Sequence, residues 1–172
     1  MDEIETQIKM ISLAKCLHGF GFFELNQLLS VSSKAAWKKG EDVFLEGDPG
    51  RDMYIIFAGK ISIWRNNAGK RMDLATLSVG ESFGEMGLVD IGKRSAGAQA
   101  IEDTWALRIG DSGLNEVPDA AFILYRNIAK ALAERLTLAN DIIIFQSQQG
   151  AKISPLEAAD SISNPNEYKG SL

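Results

Sequence analysis

Hydrophobic and polar positions follow three different patterns along this chain. In the region 4–29 the apolar residues recur at helical spacing, and Gly19 and Gly21 divide this region into two or more short predicted helices. Between residues 42 and 109 short apolar segments alternate with glycine-containing turns, a pattern typical of a β-sandwich or barrel. From Pro118 to about residue 146 the helical pattern returns. The chain therefore predicts helices at both ends and β-structure between them.

The central region predicts a series of short strands joined by turns. The Asn66-Asn67-Ala68-Gly69 sequence predicts a hairpin turn, because asparagine and glycine are the residues that such turns favour. The predicted strands cover residues 42–45, 53–58, 60–65, 72–77, 94–100 and 104–109.

The last predicted helix carries a continuous apolar stripe. Its residues recur at spacings of three and four on a segment without internal proline or glycine, and they are Ile128, Leu132, Leu136, Ala139 and Ile143. The apolar run 142–145 gives this helix more apolar surface than one small β-domain can bury. We therefore expect a homodimer with two-fold symmetry through the 119–146 helical region. The alternative is a monomer whose helix folds wholly onto its own β-domain.

Composition limits the fold and the partners. At 172 residues, with 45% hydrophobic and 24% charged residues, the chain fits one globular domain with a substantial core. A net charge of −5 and a pI near 5.0 argue against nucleic acid as the main partner, because neutralising phosphates needs a basic face. The small cluster of Lys34, Lys38 and Lys39 is explained by a solvated surface.

The chain has one cysteine and one histidine, Cys16 and His18. A single cysteine cannot form an intramolecular disulfide, and together with an acidic amino terminus and no apolar run of membrane length it predicts a cytoplasmic protein without a membrane partner. In an apolar helical region, Cys16 is expected to be a buried small hydrophobe and His18 a partly buried structural residue. One histidine cannot build a multi-histidine metal site. We therefore expect no catalytic residues, no metal ligands and no enzymatic activity.

A glycine-flanked carboxylate and a nearby arginine carry the functional prediction. The sequence Phe83-Gly84-Glu85-Met86 is followed by Arg94-Ser95-Ala96. A turn that opens at a glycine lets backbone N–H groups approach an anion, and an arginine adds two parallel, charge-assisted hydrogen bonds to phosphate oxygens. A carboxylate beside a phosphate would repel it unless the carboxylate accepts a hydrogen bond from another part of the ligand, such as a ribose 2′-hydroxyl. The alternative is a surface ion pair between Glu85 and Arg94, typically worth less than about 1 kcal/mol.

The run 40–109 resembles the cyclic nucleotide-binding domain family, and in particular the effector domain of catabolite activator proteins without their helix-turn-helix domain. The resemblance depends on several motifs in the right order. They are Gly40-Glu41 before a strand, Gly47-Asp48 in a turn, Tyr54-Ile55-Ile56 followed by Gly59, Gly80-Glu81, and then the segment that contains Gly84, Glu85 and Arg94.

The resemblance implies a mainly β fold. This fold is a β-roll of about eight strands, similar to a double-stranded jelly roll, with N-terminal helices and a long C-terminal helix. The implied organisation is a cyclic nucleotide-binding domain over 1–149, with helices over 1–39, the β-roll over 40–112 and C-terminal helices over 113–149. The polar segment 150–172 is expected to be a flexible tail.

The resemblance also implies a binding site. In the family, the Gly-Glu pair and the arginine bind the cyclic phosphate and the 2′-hydroxyl, and these positions correspond to Gly84, Glu85 and Arg94. The segment 133–140 is similar to the helix that meets adenine, so cyclic AMP is the expected ligand and cyclic GMP the alternative. Ala139 stands where catabolite activator proteins have a threonine hydroxyl for the adenine, and the Asn140 amide can compensate for it. The full predicted ligand site is Phe83, Gly84, Glu85, Met86, Arg94, Ser95, Ala96, Ala75, Leu77, Arg135 and Asn140.

The expected function is that of a stand-alone cyclic nucleotide receptor. Ligand binding would shift the C-terminal helix and change a surface for an unidentified protein partner. Direct DNA binding is not expected, because some two dozen residues after the helix are too few for a helix-turn-helix domain. The alternative is a ligand-independent structural or dimerisation module that keeps the roll as a scaffold.

Overall fold

A computed structural model describes residues 9, 12–89 and 92–148. Eight strands form two antiparallel sheets, flanked by helices, so the predicted fold class is confirmed. A 3₁₀ turn (Lys15–Leu17) and α1 (Phe22–Ser30) precede the sheets. The strands are β1 (Ser32–Trp37), β2 (Asp42–Phe44), β3 (Asp52–Ala58), β4 (Ile61–Asn67), β5 (Lys70–Leu77), β6 (Ser82–Phe83), β7 (Gly97–Ala100) and β8 (Thr104–Gly110). The remaining helices are α2 (Met86–Val89), α3 (Asp111–Leu114) and α4 (Pro118–Gln148).

The two sheets contain four strands each. Their strand orders are β1-β8-β3-β6 and β2-β7-β4-β5. A core cluster consists of buried residues from strands of both sheets. Its members are Tyr54, Ile56, Ile61, Leu77, Phe83, Ala98, Ala100 and Ala106. Met53 and Ile55, which alternate along β3 with the cluster residues Tyr54 and Ile56, are also fully buried. Because neighbouring residues of a strand point to opposite faces, β3 is buried on both faces.

The N-terminal turn is tied to the start of α4. The Asn127 Nδ2 group donates hydrogen bonds to the carbonyl oxygens of Cys16, at 2.8 Å, and of His18, at 2.7 Å. Cys16 is buried, as predicted, whereas the His18 side chain is exposed and corrects the prediction of a partly buried residue. The role of His18 here is the backbone contact, which does not need its side chain to be covered.

The region 1–39, predicted as helical, contains the strand β1. This strand pairs with β8 from Ser32 opposite Ile109 to Trp37 opposite Thr104. Ala35 and Trp37 pack against the core cluster on alternate positions. The prediction was wrong because the segment has weak local propensity and owes its conformation to pairing with a strand about seventy residues later in the chain.

The predicted strand 94–100 begins later, at Gly97. Arg94 instead bonds through its backbone to a loop: its N–H donates to the Asp48 carbonyl at 2.8 Å, and its carbonyl accepts from the Gly47 N–H at 2.9 Å. These bonds hold the backbone on both sides of Arg94 against the β2–β3 connection.

The chain divides into two compact units, residues 1–128 and 129–172. The helix α4 contributes residues to both units. In its second part the apolar side chains of Leu136, Leu138, Ile142, Ile144 and Phe145 are exposed within the single chain. The homodimer and the predicted domain boundaries stay predictions, and the predicted tail lies outside the described residues. Within the described part of the chain, no helix combines the length and the apolar character needed to span a bilayer.

The predicted hairpin turn joins β4 and β5. Ala68 and Gly69 connect the paired residues Asn67 and Lys70, and Ala68 has a φ of 51°, a conformation that disfavours a residue with a Cβ. Ala68→Asn should therefore raise the free energy of unfolding by about 0.5–1 kcal/mol, because asparagine tolerates this backbone conformation. Thermal unfolding without ligand should show a rise of about 1–4 °C in Tm. Ala68→Val should lower it, and a Tm that falls in Ala68→Asn would contradict the strained-turn interpretation.

Candidate ligand-binding site

The site begins at the sharp turn between β6 and α2. Gly84 has a φ of +79°, and its carbonyl oxygen accepts hydrogen bonds from the Gly87 N–H at 2.9 Å and from Arg94 Nη1 at 3.2 Å. A Cβ at Gly84 would lie 2.9 Å from Arg94 Nη1 and 3.0 Å from the Asp52 carbonyl oxygen. Glycine is therefore required here both for the backbone conformation and for the close approach of Arg94.

The Arg94 side chain is buried, with 7% of its surface exposed. Nη1 donates to the Asp52 carbonyl at 2.7 Å, and the guanidinium carbon lies 4.1 Å from the centre of the Phe44 ring and 6.0 Å from that of Tyr54. Burial lowers the pKa of the Arg94 guanidinium, while Tyr54 and Asp52 act in the opposite direction. The positive charge is thus held by carbonyl oxygens and aromatic faces.

No described carboxylate pairs with Arg94. Within residues 12–89 and 92–148 no Asp or Glu oxygen lies within 4.0 Å of its guanidinium nitrogens, and the buried Nε has no hydrogen-bond partner there. The carboxylate of Asp52 instead pairs with Arg108 at 2.9 Å. A buried charge and a buried N–H donor without such partners are costly, and an anionic ligand would satisfy both.

Glycines surround the guanidinium. A Cβ at Gly50 would collide with the Nε, Cζ and Nη2 atoms of Arg94, and a Cβ at Gly87 would lie 2.8 Å from Nη1. Side chains at these positions would occupy the space that the guanidinium fills. The glycines of the β2–β3 loop and of α2 therefore allow the arginine to lie between the two segments.

Glu85 is buried directly after Gly84, with 4% of its surface exposed. The Ser82 hydroxyl donates to Glu85 Oε1 at 2.7 Å. Glu85 and Arg94 are both buried, and no ion pair joins them among the described residues. The pair therefore does not form the surface ion pair that was the alternative interpretation.

The other predicted residues of the first unit differ in their surroundings. Phe83 stacks on Tyr54 with ring centres 5.1 Å apart, and Leu77 belongs to the same core cluster. Met86 begins α2 and is 44% exposed. Ser95 is exposed, Ala96 is half-buried, and Ala75 is exposed on β5 opposite Ile63.

Arg135 and Asn140 lie on α4 in the second compact unit. Within that single chain Arg135 is exposed and Asn140 is half-buried. Their predicted contact with a nucleotide base stays a prediction.

Several residues around the site are not in the sequence-based prediction. Phe44 lies under the Arg94 guanidinium, Gly50 leaves space for it, the Asp52 carbonyl accepts from it, and Ser82 bonds to Glu85. The Pro49-Gly50 dipeptide is a turn signal that could have directed attention to this loop. A carbonyl oxygen has no sequence signature, so the contact at Asp52 depends on the fold.

Metal ligands are not clustered in the described part of the chain. No group of three or more His, Cys, Asp or Glu side chains there could hold a metal ion. The polar residues of the candidate site are instead one buried arginine, one buried carboxylate and one buried hydroxyl.

The β-roll thus holds a buried arginine and a buried carboxylate beside a glycine turn, and the arginine is chemically suited to an anionic group. The family model described as "Cyclic nucleotide-binding domain" matches residues 34–120. The chain belongs to the cyclic nucleotide-binding domain family, and it is a cyclic nucleotide-binding regulatory domain.

Individual relatives agree with this family. The chain is 34% identical over 133 residues to the "Cyclic AMP receptor protein" of Thermus thermophilus, covering 75% of this chain and 62% of that protein. The crystal structure of Thermus thermophilus catabolite activator protein superposes with a TM-score of 0.71 at 32% identity, covering 78% of this chain and 63% of that one. A match at 27% identity to "Glutaminase 1" of Bradyrhizobium diazoefficiens covers 72% of this chain and 20% of that protein. The chain thus spans less than two thirds of the length of each of these relatives.

Proposed function

We propose that this domain is a cyclic nucleotide receptor that prefers cyclic AMP and that signals binding through α4 to a protein partner. The observation that carries the proposal is the buried Arg94 guanidinium. Among the described residues it has no carboxylate partner, and its Nε has no hydrogen-bond partner. Family membership supports a cyclic nucleotide as the ligand, and the Thermus relative, which is a cyclic AMP receptor by name, supports cyclic AMP.

The cyclic phosphate docks on Arg94 beside the Gly84 turn. Nη1 is already engaged by two backbone carbonyls, at 2.7 and 3.2 Å, so the guanidinium is oriented before the ligand arrives. This preorganisation reduces the entropy that binding must overcome. A phosphate oxygen then accepts from Nε and neutralises the buried charge.

The ribose docks on Glu85. A carboxylate has about four lone-pair sites on its two oxygens, so a hydrogen bond from Ser82 leaves capacity for a ligand hydroxyl. The 2′-hydroxyl donates to this carboxylate while the phosphate is held by Arg94. The two charged groups therefore bind different parts of the same ligand.

The base contacts the C-terminal helix through Arg135 and Asn140, and movement of that helix changes the surface offered to a partner. The Asn140 amide both donates and accepts, as the edge of adenine requires. Dimerisation through the 119–146 region and the absence of direct DNA binding are part of the same proposal. The domain acts as a regulator and not as an enzyme, and the cytoplasmic location stays a prediction.

Calorimetric titration of the purified chain with cyclic AMP, cyclic GMP and 5′-AMP tests the proposal. We expect saturable binding of both cyclic nucleotides, tighter for cyclic AMP, and much weaker binding of 5′-AMP. Asn140→Ala should lower the affinity for cyclic AMP more than the affinity for cyclic GMP, because it removes an amide that hydrogen-bonds to adenine in the proposed complex. Tighter cyclic GMP binding would overturn the base assignment. No binding of either cyclic nucleotide would favour a ligand-independent structural or dimerisation module.

A further inference from the structure

One residue outside the proposed ligand contacts is bonded to Glu85. The Ser82 hydroxyl donates to Glu85 Oε1 at 2.7 Å. Both side chains are buried, with 8% of Ser82 and 4% of Glu85 exposed. A hydroxyl from β6 and a carboxylate from the Gly84 turn therefore form one buried polar pair.

The register of β6 explains why Ser82 faces the N-terminal turn. Phe83 pairs with Tyr54 and Ser82 with Ile55, so the two neighbours point to opposite faces of the sheet. Phe83 joins the core cluster on one face. Ser82 lies on the other face, where Cys16 is buried.

The Cys16 thiol is a neutral neighbour of this pair. Burial first, and then the negative charge of Glu85, raise the pKa of Cys16 to about 12. Cys16 therefore stays a neutral thiol at physiological pH and adds no charge beside Glu85.

Both ends of the N-terminal turn are fixed in place. Asn127 Nδ2 donates to the carbonyl oxygens of Cys16 and His18, at 2.8 and 2.7 Å. A Cβ at Gly80 would overlap the Leu13 carbonyl oxygen, so the segment before Cys16 also packs closely on the β5–β6 connection. The N-terminal turn is thereby held against the β5–β6 connection, which leads directly into Ser82.

We propose that Ser82 is a positioning residue for Glu85, and that it sets how strongly the domain distinguishes a ribose from a 2′-deoxyribose. This inference rests on the proposed function, in which Glu85 accepts a hydrogen bond from the 2′-hydroxyl. With Oε1 held by Ser82, the carboxylate is fixed before the ligand arrives and does not have to be ordered by it. A 2′-deoxy ligand lacks the hydroxyl that donates to this carboxylate. Its affinity is therefore a reference for changes in each variant that do not involve the ribose contact.

The test is the ratio of the dissociation constants for 2′-deoxy cyclic AMP and cyclic AMP, measured by calorimetry. We expect Ser82→Ala to lower this ratio about five- to tenfold, mainly by weakening cyclic AMP, because a hydrogen bond to a charged group is lost. Ser82→Thr keeps a hydroxyl donor at this position and should retain most of the ratio.

The chain offers a matched control. Ser78 donates to Glu81 at 3.1 Å with the same spacing of three residues, but this pair is exposed. Ser78→Ala should therefore leave the ratio unchanged, and circular dichroism should show that every variant is folded. A wild-type chain that discriminates the two ligands, with an unchanged ratio in folded Ser82→Ala, would overturn the positioning role alone. A wild-type chain that binds both ligands equally would instead overturn the ribose contact of the proposed function, and the positioning role with it.

Discussion

Arg94→Ala will lower the affinity for cyclic AMP at least about thirtyfold, while the chain stays folded. The substitution removes the positive charge that the proposed site offers to the cyclic phosphate. Loss of one partner from a buried, hydrogen-bonded charge pair typically costs about 2–5 kcal/mol, and each 1.4 kcal/mol corresponds to about tenfold in affinity. Arg94→Lys should also bind markedly more weakly, because an ammonium cannot reproduce the planar, forked donors of a guanidinium.

The structure supplies a control for the change in net charge. Arg65 is exposed and pairs with Glu46, so Arg65→Ala removes the same charge from the surface. We expect this variant to bind cyclic AMP with nearly unchanged affinity, since exposed charges are screened. In Arg94→Ala, the two lost hydrogen bonds to carbonyls are offset by relief of a buried charge, so its Tm without ligand should change little. Unchanged affinity in folded Arg94→Ala would refute the phosphate site.

The 2′-deoxy form of cyclic AMP will bind about tenfold or more weakly than cyclic AMP itself. The buried Glu85 carboxylate loses a hydrogen bond from the ligand, and hydrogen bonds to charged groups are worth about 1.5–3 kcal/mol. Glu85→Gln should narrow the difference between the two ligands, because a neutral amide makes a weaker acceptor for the hydroxyl. Competition binding against a fluorescent cyclic nucleotide measures both ligands on the same scale.

Glu81 provides the comparison for Glu85. It precedes β6, is half-buried, and accepts hydrogen bonds from the N–H and hydroxyl of Ser78. Glu81→Gln makes the same chemical change outside the proposed site and should leave the difference between the ligands intact. If wild-type protein bound the ribose and 2′-deoxy ligands equally well, Glu85 would have a structural role instead.

Local sequence was sufficient to predict most of the β-roll. Alternating apolar residues and glycine-containing turns predicted every strand between residues 42 and 109 except the two-residue β6, with shifts at their ends. The Ala68-Gly69 hairpin and the long helix from Pro118 were also predicted correctly. These features can be predicted because a turn or a short strand is specified by residues only a few positions apart in the sequence.

The sequence-based prediction missed β1 because no local pattern determines this strand. Ser32–Trp37 pairs with β8, and that partner is brought alongside only when the roll closes. Propensity alone could not distinguish this segment from a continuation of the N-terminal helices, since pairing and burial decide weak strands.

The motif predicted which residues form the candidate site, whereas the folded chain decided what surrounds them. Gly84, Glu85 and Arg94 are visible in the sequence because the backbone turn and the charged groups need those residue types. Loops distant in sequence place Arg94 over Phe44 and bond it to the Asp52 carbonyl, and they leave its Nε without a hydrogen-bond partner among the described residues. The burial of the Ser82–Glu85 hydrogen bond is likewise a product of packing. Residue type determines what a side chain can donate or accept, and only the assembled tertiary structure determines which partners reach it and which it lacks.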